Sequence, residues 1–428
     1  MHATLAQKLE LTTAHNRSTI SRSRARTTAA DIPHLLLFFD FLISIFSHGI
    51  RLSETASTDG GCVAASYIAK DRPYDPNTHV FHFNPYNRLQ QNSTAQKKRP
   101  SQRPESGQDA FFVSRVGDTG TVALAVADGV GGWMESGVDP ADFSHGLCEY
   151  MAAAAYEHGK TAGSKKQALS KDQQQQQTPA LSARRLMEIG YQAVRHDRSI
   201  QAGGSTAIVG LLSPDGGLEV ANLGDSGYIQ LRLNAVHTCS EPQTHAFNTP
   251  YQLSMIPPNI LARMAAFGGA QLSDEPRDAE VTRLDLRHGD VLVFASDGVW
   301  DNLFNQDILQ LVSRSMMATG AWQAQSKDAG AAVAVAPPSV LKNLMDAEGK
   351  GVGSSGGNVV TLQSLIATQI TGAAKAASVN TKLDGPFAKE VKRYYPQETW
   401  HGGKVDDICV VVAVVSEEPA EMPVKSKL

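Results

Sequence analysis

Five aspartates lie at the edges of apolar runs, and their placement is the most chemically informative feature of this sequence. The run 122–127 ends directly in Asp128-Gly129-Val130-Gly131-Gly132, the run 218–223 in Gly224-Asp225-Ser226, and Val291–Ala295 in Ser296-Asp297-Gly298. Asp406-Asp407 immediately precedes the run 408–415, and Asp109 stands just ahead of 111–115. One Asp-Gly pair is ordinarily a plain turn. Repeated placement beside apolar runs is different, because buried strands that share an edge would bring such carboxylates into one cleft. Clustered carboxylates repel one another and cannot all stay ionised without a cation. No His or Cys accompanies them, so the fitting partners are hard, oxygen-seeking ions such as Mg²⁺ or Mn²⁺. Glycine after Asp128 and after Asp297 suits a tight turn and lets the backbone come close to an ion. Spacing alone thus points to metal-dependent phosphate or hydrolase chemistry.

The elements that must position these groups are short β-branched or aliphatic runs bounded by Gly, Asp, Asn or Ser. Residues 111–115, 122–127, 206–212, 218–223, 228–233, 291–295 and 408–415 read as strands. Apolar residues recur at helical spacing over 140–158, 181–197, 306–317, 362–377 and, more weakly, 386–395. Strands clustered before helices, joined by hairpins rather than regular βαβ alternation, indicate an α+β domain built on antiparallel sheets. Residues 51–106 are polar and proline-rich, giving a linker over 51–75 and one catalytic domain over 75–417, followed by a C-terminal tail at 418–428. Two loop insertions interrupt it, a glutamine-rich one at 161–179 and a Gly-, Ala- and Ser-rich one at 320–358.

Six stretches, in order over roughly 300 residues, resemble the metal-dependent Ser/Thr protein phosphatases of type 2C. They are Gly107-Gln108-Asp109-Ala110-Phe111-Phe112, Val126-Ala127-Asp128-Gly129-Val130-Gly131-Gly132-Trp133, Gly203-Gly204-Ser205-Thr206-Ala207, Asn222-Leu223-Gly224-Asp225-Ser226, Phe294-Ala295-Ser296-Asp297-Gly298-Val299-Trp300-Asp301 and Gly403-Lys404-Val405-Asp406-Asp407-Ile408. In detail, the aspartate-glycine turn through Trp133, residues 243–253 and His401-Gly402-Gly403-Lys404 are similar to the mitochondrial branch called protein phosphatase 2C homolog 7. The resemblance implies an α-β-β-α sandwich of two antiparallel sheets flanked by helices, with a dinuclear Mn²⁺ or Mg²⁺ site at one end. It implies that Asp128 bridges the two ions, that Gly129 offers its carbonyl, and that Asp297 and Asp406 ligate one ion. Asp109 would hold metal-bound waters, and Asp225 would serve a weaker third ion. A metal-activated water would then attack phosphorus in line, hydrolysing phosphoserine and phosphothreonine without a phosphoenzyme.

Three positions depart from that pattern. Gln108 stands where many members have a glutamate contacting the second metal, and so brings less charge. Val130 replaces a histidine of other branches and cannot donate a proton to the leaving alkoxide. Arg103 lies one residue out of register with the phosphate-binding arginine and is the weak candidate for that role. Gln108 and Val130 motivate a second reading, a catalytically weak pseudophosphatase that binds phosphoproteins; a phosphorylated metabolite as substrate is a third. His245 is expected to be structural rather than catalytic, Trp133 and Trp300 to pack beside the turns, Cys409 to be inert, and Asp301 and Asp407 to support ligands or cap helices.

Composition frames these expectations. The chain has 428 residues, 42% hydrophobic and 19% charged, with a net charge of −4. That is ample for a core and lacks the basic excess of a nucleic-acid partner. Cys62, Cys148, Cys239 and Cys409 form no CxxC pair, so neither a disulfide framework nor a structural zinc site is indicated. Residues 1–30 carry Lys8, Arg17, Arg22, Arg24 and Arg26 against Glu10 alone. This is the composition of a mitochondrial transit segment, assigned to 1–50, with the matrix as destination; the branch resemblance implies phosphorylated mitochondrial metabolic proteins as partners. The apolar stretch 35–46, at ~1.5 Å per residue, reaches only ~18 Å of a ~30 Å hydrocarbon core, which disfavours a membrane anchor.

Overall fold

The computed structural model describes residues 63–83, 103–159, 180–258, 262, 273–326, 332–346, 351–355 and 358–417. The transit segment, the stretch 35–46, the insertion 161–179 and the tail 418–428 lie outside the described residues.

Two antiparallel sheets form the frame. The strands are β1 (Val63–Ile68), β2 (Val80–His82), β3 (Asp109–Arg115), β4 (Val122–Asp128), β5 (Ala207–Leu212) and β6 (Gly217–Leu223), then β7 (Gly227–Arg232), β8 (Ala235–Cys239), β9 (Glu280–Asp285), β10 (Val291–Ala295) and β11 (Ile408–Val414). One sheet runs β2-β1-β11-β10-β7-β8 and the other β9-β6-β5-β4-β3. The helices are α1 (Pro140–Glu157), α2 (Ala183–His196), α3 (Asp297–Trp300), α4 (Asn305–Ala318), α5 (Pro338–Met345), α6 (Leu362–Ser378) and α7 (Pro386–Tyr394).

Alternation along β11 explains the layering. Val410, Val412 and Val414 face one apolar cluster with Ile366, Ile370, Val312 and Met316 of α6 and α4. Cys409, Val411 and Ala413 face the opposite cluster, among Leu124, Val126, Ile208 and Leu212 of the other sheet. A strand buried on both faces must be apolar throughout, which is why 408–415 reads as an unbroken run. The outer face of the second sheet, with Ala123, Ala125 and Val209, packs on Phe143, Leu147, Met151, Leu186 and Met187 of α1 and α2. Layers therefore run helix, sheet, sheet, helix. Phe294 of β10 fills the space between the sheets so closely that a Cβ on Gly210 would lie 3.0 Å from its Cζ. Helix starts follow the sequence cues: Asp139 accepts a hydrogen bond from Ala141 N ahead of Pro140, and Ser182 accepts one from Arg185 N.

Two expectations need correction. Val63–Ile68 falls in the stretch read as linker, yet it forms a buried strand paired along its length with β11. Its sequence, Val-Ala-Ala-Ser-Tyr-Ile, is too rich in small residues to advertise a strand, and the pairing with β11 supplies what local propensity lacks. The domain thus includes residues ahead of 75. The described part of 320–358 is also more than a loop. Trp322–Ala324 pairs with Val333–Val335, α5 follows, and Trp322 is fully buried with its Nε1 donating to Gly289 O at 3.0 Å. Among the described residues no helix is long and apolar enough to cross a membrane.

The inter-sheet packing gives the first prediction. Truncation by Phe294→Ala should destabilise the fold by about 3–5 kcal/mol, read as a lowered urea midpoint with unchanged slope. A loss below about 1 kcal/mol would mean that the two sheets do not depend on this ring.

Candidate active site

Strand register brings the aspartates together. Asp109 opens β3 and Asp128 closes β4, and the two stand directly opposite in the ladder. Asp297 follows β10 as the first residue of α3, and Asp406 precedes β11, which is the neighbour of β10. Ser296 ties the two sheets at this end: its Oγ donates to Asp109 Oδ2 at 2.6 Å and accepts from Cys409 N at 3.0 Å. Asp407 is a second tie. Its carboxylate accepts from Lys70 N at 2.7 Å and Gln108 N at 2.9 Å, joining the end of β1 and the approach to β3 to the start of β11. Gly107 is needed there, since it adopts φ +69° and a Cβ would sit 2.2 Å from Asp407 Oδ1. The Asp128–Gly129 turn is held by Thr206 N and Ser205 Oγ, which donate to Asp128 O at 2.9 and 2.8 Å, and by Gly129 N, which donates to Gln108 O at 3.1 Å. The Gly-Ser-Thr stretch is thus strand entry, in service of Asp128.

Electrostatics define what this end of the fold wants. Burial, then the charge of Asp407, holds the Asp109 carboxyl well above its ordinary range, while the Ser296 hydrogen bond opposes the rise. Burial and the charges of Asp297, Asp109, Asp406 and Asp225 do the same to Asp128. Asp225 is pushed up to about 8 by burial and by Asp297, and Asp301 up to about 7 by burial, with Asp297 adding to the rise against the pull of Lys404. Asp406 is raised as well, first by burial and then by Asp297. Asp297 is the exception. Burial alone would raise it, but the Lys404 ammonium, 2.5 Å from Oδ2, outweighs burial and holds it low. The group is a carboxylate cluster short of positive charge.

Residues of this chemistry fit hard divalent ions. The donors are all oxygens, and Asp225 Oδ1 is buried with no hydrogen-bond partner among the described residues. As it stands, no three His, Cys, Asp or Glu side chains among the described residues converge as a ready metal cage. Asp297, Asp301 and Asp406 are instead drawn around Lys404, at 2.5, 2.6 and 3.2 Å from its Nζ.

The remaining candidates fall as follows. Arg103 is fixed by Asp142 at 2.6 Å and by Asp139 at 3.8 Å, both at the start of α1, and its planar fork retains further N–H donors for an anion. Gln108 turns its Nε2 to Met134 Sδ at 3.0 Å. Val130 precedes the short 3₁₀ turn Gly131–Ser136 and donates its N–H to Gly204 O at 3.0 Å. His245 is structural: its Nε2 lies 3.0 Å from Asp274 Oδ2 and its ring stacks on Tyr251 at 4.3 Å. Trp300 donates from Nε1 to Ala295 O at 2.9 Å, beside the Asp297 turn. Cys409 is fully buried, and burial raises its thiol well above the ordinary value, so it is inert. Lys404 and Ser296 carry no assigned role in the sequence reading, and Asp407, expected to support ligands or cap a helix, grips two backbone N–H groups. The available signal was a lysine two residues from Asp406 in a stretch crowded with acids.

A helix-flanked pair of antiparallel sheets thus gathers strand-end carboxylates at one end, and the comparisons with known proteins specify the class of protein. A family model described as protein phosphatase 2C matches residues 99–334. "Protein phosphatase 2C homolog 7, mitochondrial" of Saccharomyces cerevisiae is 34% identical over 213 residues, which is 50% of this chain and 58% of that protein. The 5-azacytidine resistance protein azr1 of Schizosaccharomyces pombe is 30% identical over 74% of this chain and 85% of its own length. Among solved structures, the photosystem II phosphatase PBCP aligns at 26% identity and a TM-score of 0.47, over 72% of this chain and 92% of that one. The chain belongs to the protein phosphatase 2C family of protein serine/threonine phosphatases.

The Asp407 tie gives a second prediction. Asp407→Ala leaves two backbone N–H groups without their charged acceptor and should lower stability by about 2–3 kcal/mol. Asp407→Asn, which keeps one acceptor oxygen, should lose roughly half of that. Equal losses in the two variants, measured by urea denaturation, would show that the carboxylate is not what holds the turn.

Proposed function

We propose that this chain is a Mn²⁺- or Mg²⁺-dependent phosphatase of phosphoserine and phosphothreonine in mitochondrial proteins, carried on a type 2C α-β-β-α sandwich. The observation that carries this reading is the cluster of Asp109, Asp128, Asp225, Asp297 and Asp406, in which burial and neighbouring carboxylates raise every member but Asp297, so that the group calls for cations. Asp128 and the Gly129 carbonyl, with Asp297 and Asp406, would hold two ions, and Asp225 a weaker third. Such ions, when bound, neutralise phosphate oxygens and lower the pKa of a coordinated water.

The chain's own residues prepare the rest. Ser296 occupies Asp109 Oδ2 and so fixes the carboxyl plane, leaving Oδ1 to receive a proton from water. The Asp128–Gly129 turn has room only for glycine, because a Cβ on Gly129 would lie 2.8 Å from Gln108 O and 2.9 Å from Pro140 O. Val130 offers the leaving oxygen no proton, so that proton comes from solvent. Mitochondrial address, with the matrix as destination, is supported by the basic, acid-poor residues 1–30 and by the word "mitochondrial" in the name of the yeast relative.

The second reading, a weak pseudophosphatase, is favoured only by Gln108 and Val130. One assay separates the two readings. Phosphate release from a phosphothreonine peptide should require millimolar Mn²⁺, vanish with a chelator, and fall by at least about a hundredfold in Asp297→Asn. No release by the unmodified protein, alongside intact phosphopeptide binding, would leave the pseudophosphatase standing.

A further inference from the structure

Five aromatic side chains meet at the surface beside the carboxylate cluster, and they come from two separate segments. Phe247 stands at the tip of the hairpin that pairs Thr244–Ala246 with Thr249–Pro250, just ahead of Asn248, which turns with φ +50°. Its ring lies 5.5 Å from Phe387 and 5.3 Å from Tyr394 of α7, and 5.5 Å from Tyr395 at the end of that helix. Phe387 in turn lies 5.2 Å from Trp400. Each segment is anchored next to a site aspartate. The hairpin is entered where Gln243 N donates to Gly224 O at 2.9 Å, one residue ahead of Asp225. Helix α7 is entered where Phe387 N donates to Asp301 O at 3.0 Å, just past the short helix that Asp297 opens.

A cluster serving only to pack would hide its rings, and this one does not: Tyr394 is 51% exposed and Trp400 36%. Exposed aromatic rings in mutual contact mark interaction surfaces, and Tyr and Trp are the usual anchors for a bound polypeptide. Cations border the rings. Lys389 lies over the Phe304 ring at 4.2 Å and meets no carboxylate among the described residues, and Arg393, paired with Glu390 at 3.2 Å, lies over Tyr394 at 5.0 Å. Such a border suits a segment that carries negative charge, as a phosphorylated one does. The reach is short. From Asp297 to Asp301 the helical rise is about 6 Å at ~1.5 Å per residue, which an extended peptide at ~3.3 Å per residue covers in about two or three residues. We propose that this aromatic ledge docks the polypeptide of the substrate, taking an aromatic side chain about two or three residues from the phosphorylated serine or threonine onto Tyr394 and Trp400. This rests on the reading of the chain as a phosphatase of phosphoserine and phosphothreonine, and it adds the feature by which the site tells a phosphoprotein from a small phosphorylated metabolite. Tyr394 and Trp400 set specificity and touch no reacting atom.

Peptide affinity, measured on the full chain with Mn²⁺ present, tests this apart from turnover. The probes are fluorescent peptides carrying a non-hydrolysable phosphonate in place of the phosphothreonine phosphate, with phenylalanine or alanine about two and three residues to either side. The unmodified protein should bind a phenylalanine peptide about tenfold more tightly than the alanine peptide, the range of one aromatic anchor. Trp400→Ala and Tyr394→Ala should each cut that preference to about threefold or less, while Trp400→Phe keeps most of it. Both side chains are exposed, so the urea midpoints of these variants should stay where they are. Equal affinity for the two peptides, or a preference that survives in both alanine variants, would overturn the proposal. Phosphate release from the matching phosphothreonine peptides is followed in parallel. A binding preference without any release by the unmodified protein would overturn the phosphatase reading and leave the docking surface standing.

Discussion

Mutual repulsion among buried carboxylates is the constraint on which the rest of this structure depends. Asp109, Asp128, Asp225, Asp301 and Asp406 are all raised by burial and by neighbouring carboxylates. A fold left to its own stability would not gather such groups at one end of its core, since each buried charge without a partner is unfavourable. The arrangement makes sense only with positive charge between them, part of it supplied by Lys404 and the rest from outside. Function and fold are therefore in tension, and the scaffold has to be rigid enough to hold them together.

Rigidity comes from strands buried on both faces. β11 presents Val410, Val412 and Val414 to the helices and Cys409, Val411 and Ala413 to the opposing sheet. A slip of one residue would exchange these sets and displace Asp406 with them, so packing and site geometry are fixed by the same register. The register of β3 with β4 does likewise for Asp109 and Asp128. Ser296 and Asp407 then stitch the ends of the sheets across the gap, through hydrogen bonds to Asp109 and to the backbone of Gln108 and Lys70. The geometry of the carboxylate cluster is a consequence of core packing, transmitted over one or two residues at each strand end.

This explains what could be read from the sequence. Doubly buried strands leave unmistakable aliphatic runs, and an aspartate beside such a run has few places to go, so β3, β4, β6, β10, β11 and their carboxylates were legible. β1 was not, because Val63–Ile68 owes its conformation to a partner some 350 residues away rather than to its own composition. The ribbon around Trp322 was hidden for a similar reason: small residues surround one large buried ring. Lys404 escaped because its contacts with Asn302 and Asp301 join distant segments, which spacing does not reveal. His245, expected to be structural as a single imidazole ordinarily is, lies against Asp274 and stacks on Tyr251.

The central claim is that the strand-end carboxylates form a site for divalent cations, and anomalous diffraction from crystals grown with Mn²⁺ tests it most directly. The account predicts anomalous peaks beside Asp128, flanked by Asp297 and Asp406. Crystals with well-ordered Asp109, Asp128, Asp297 and Asp406 side chains and no anomalous signal among them would contradict it.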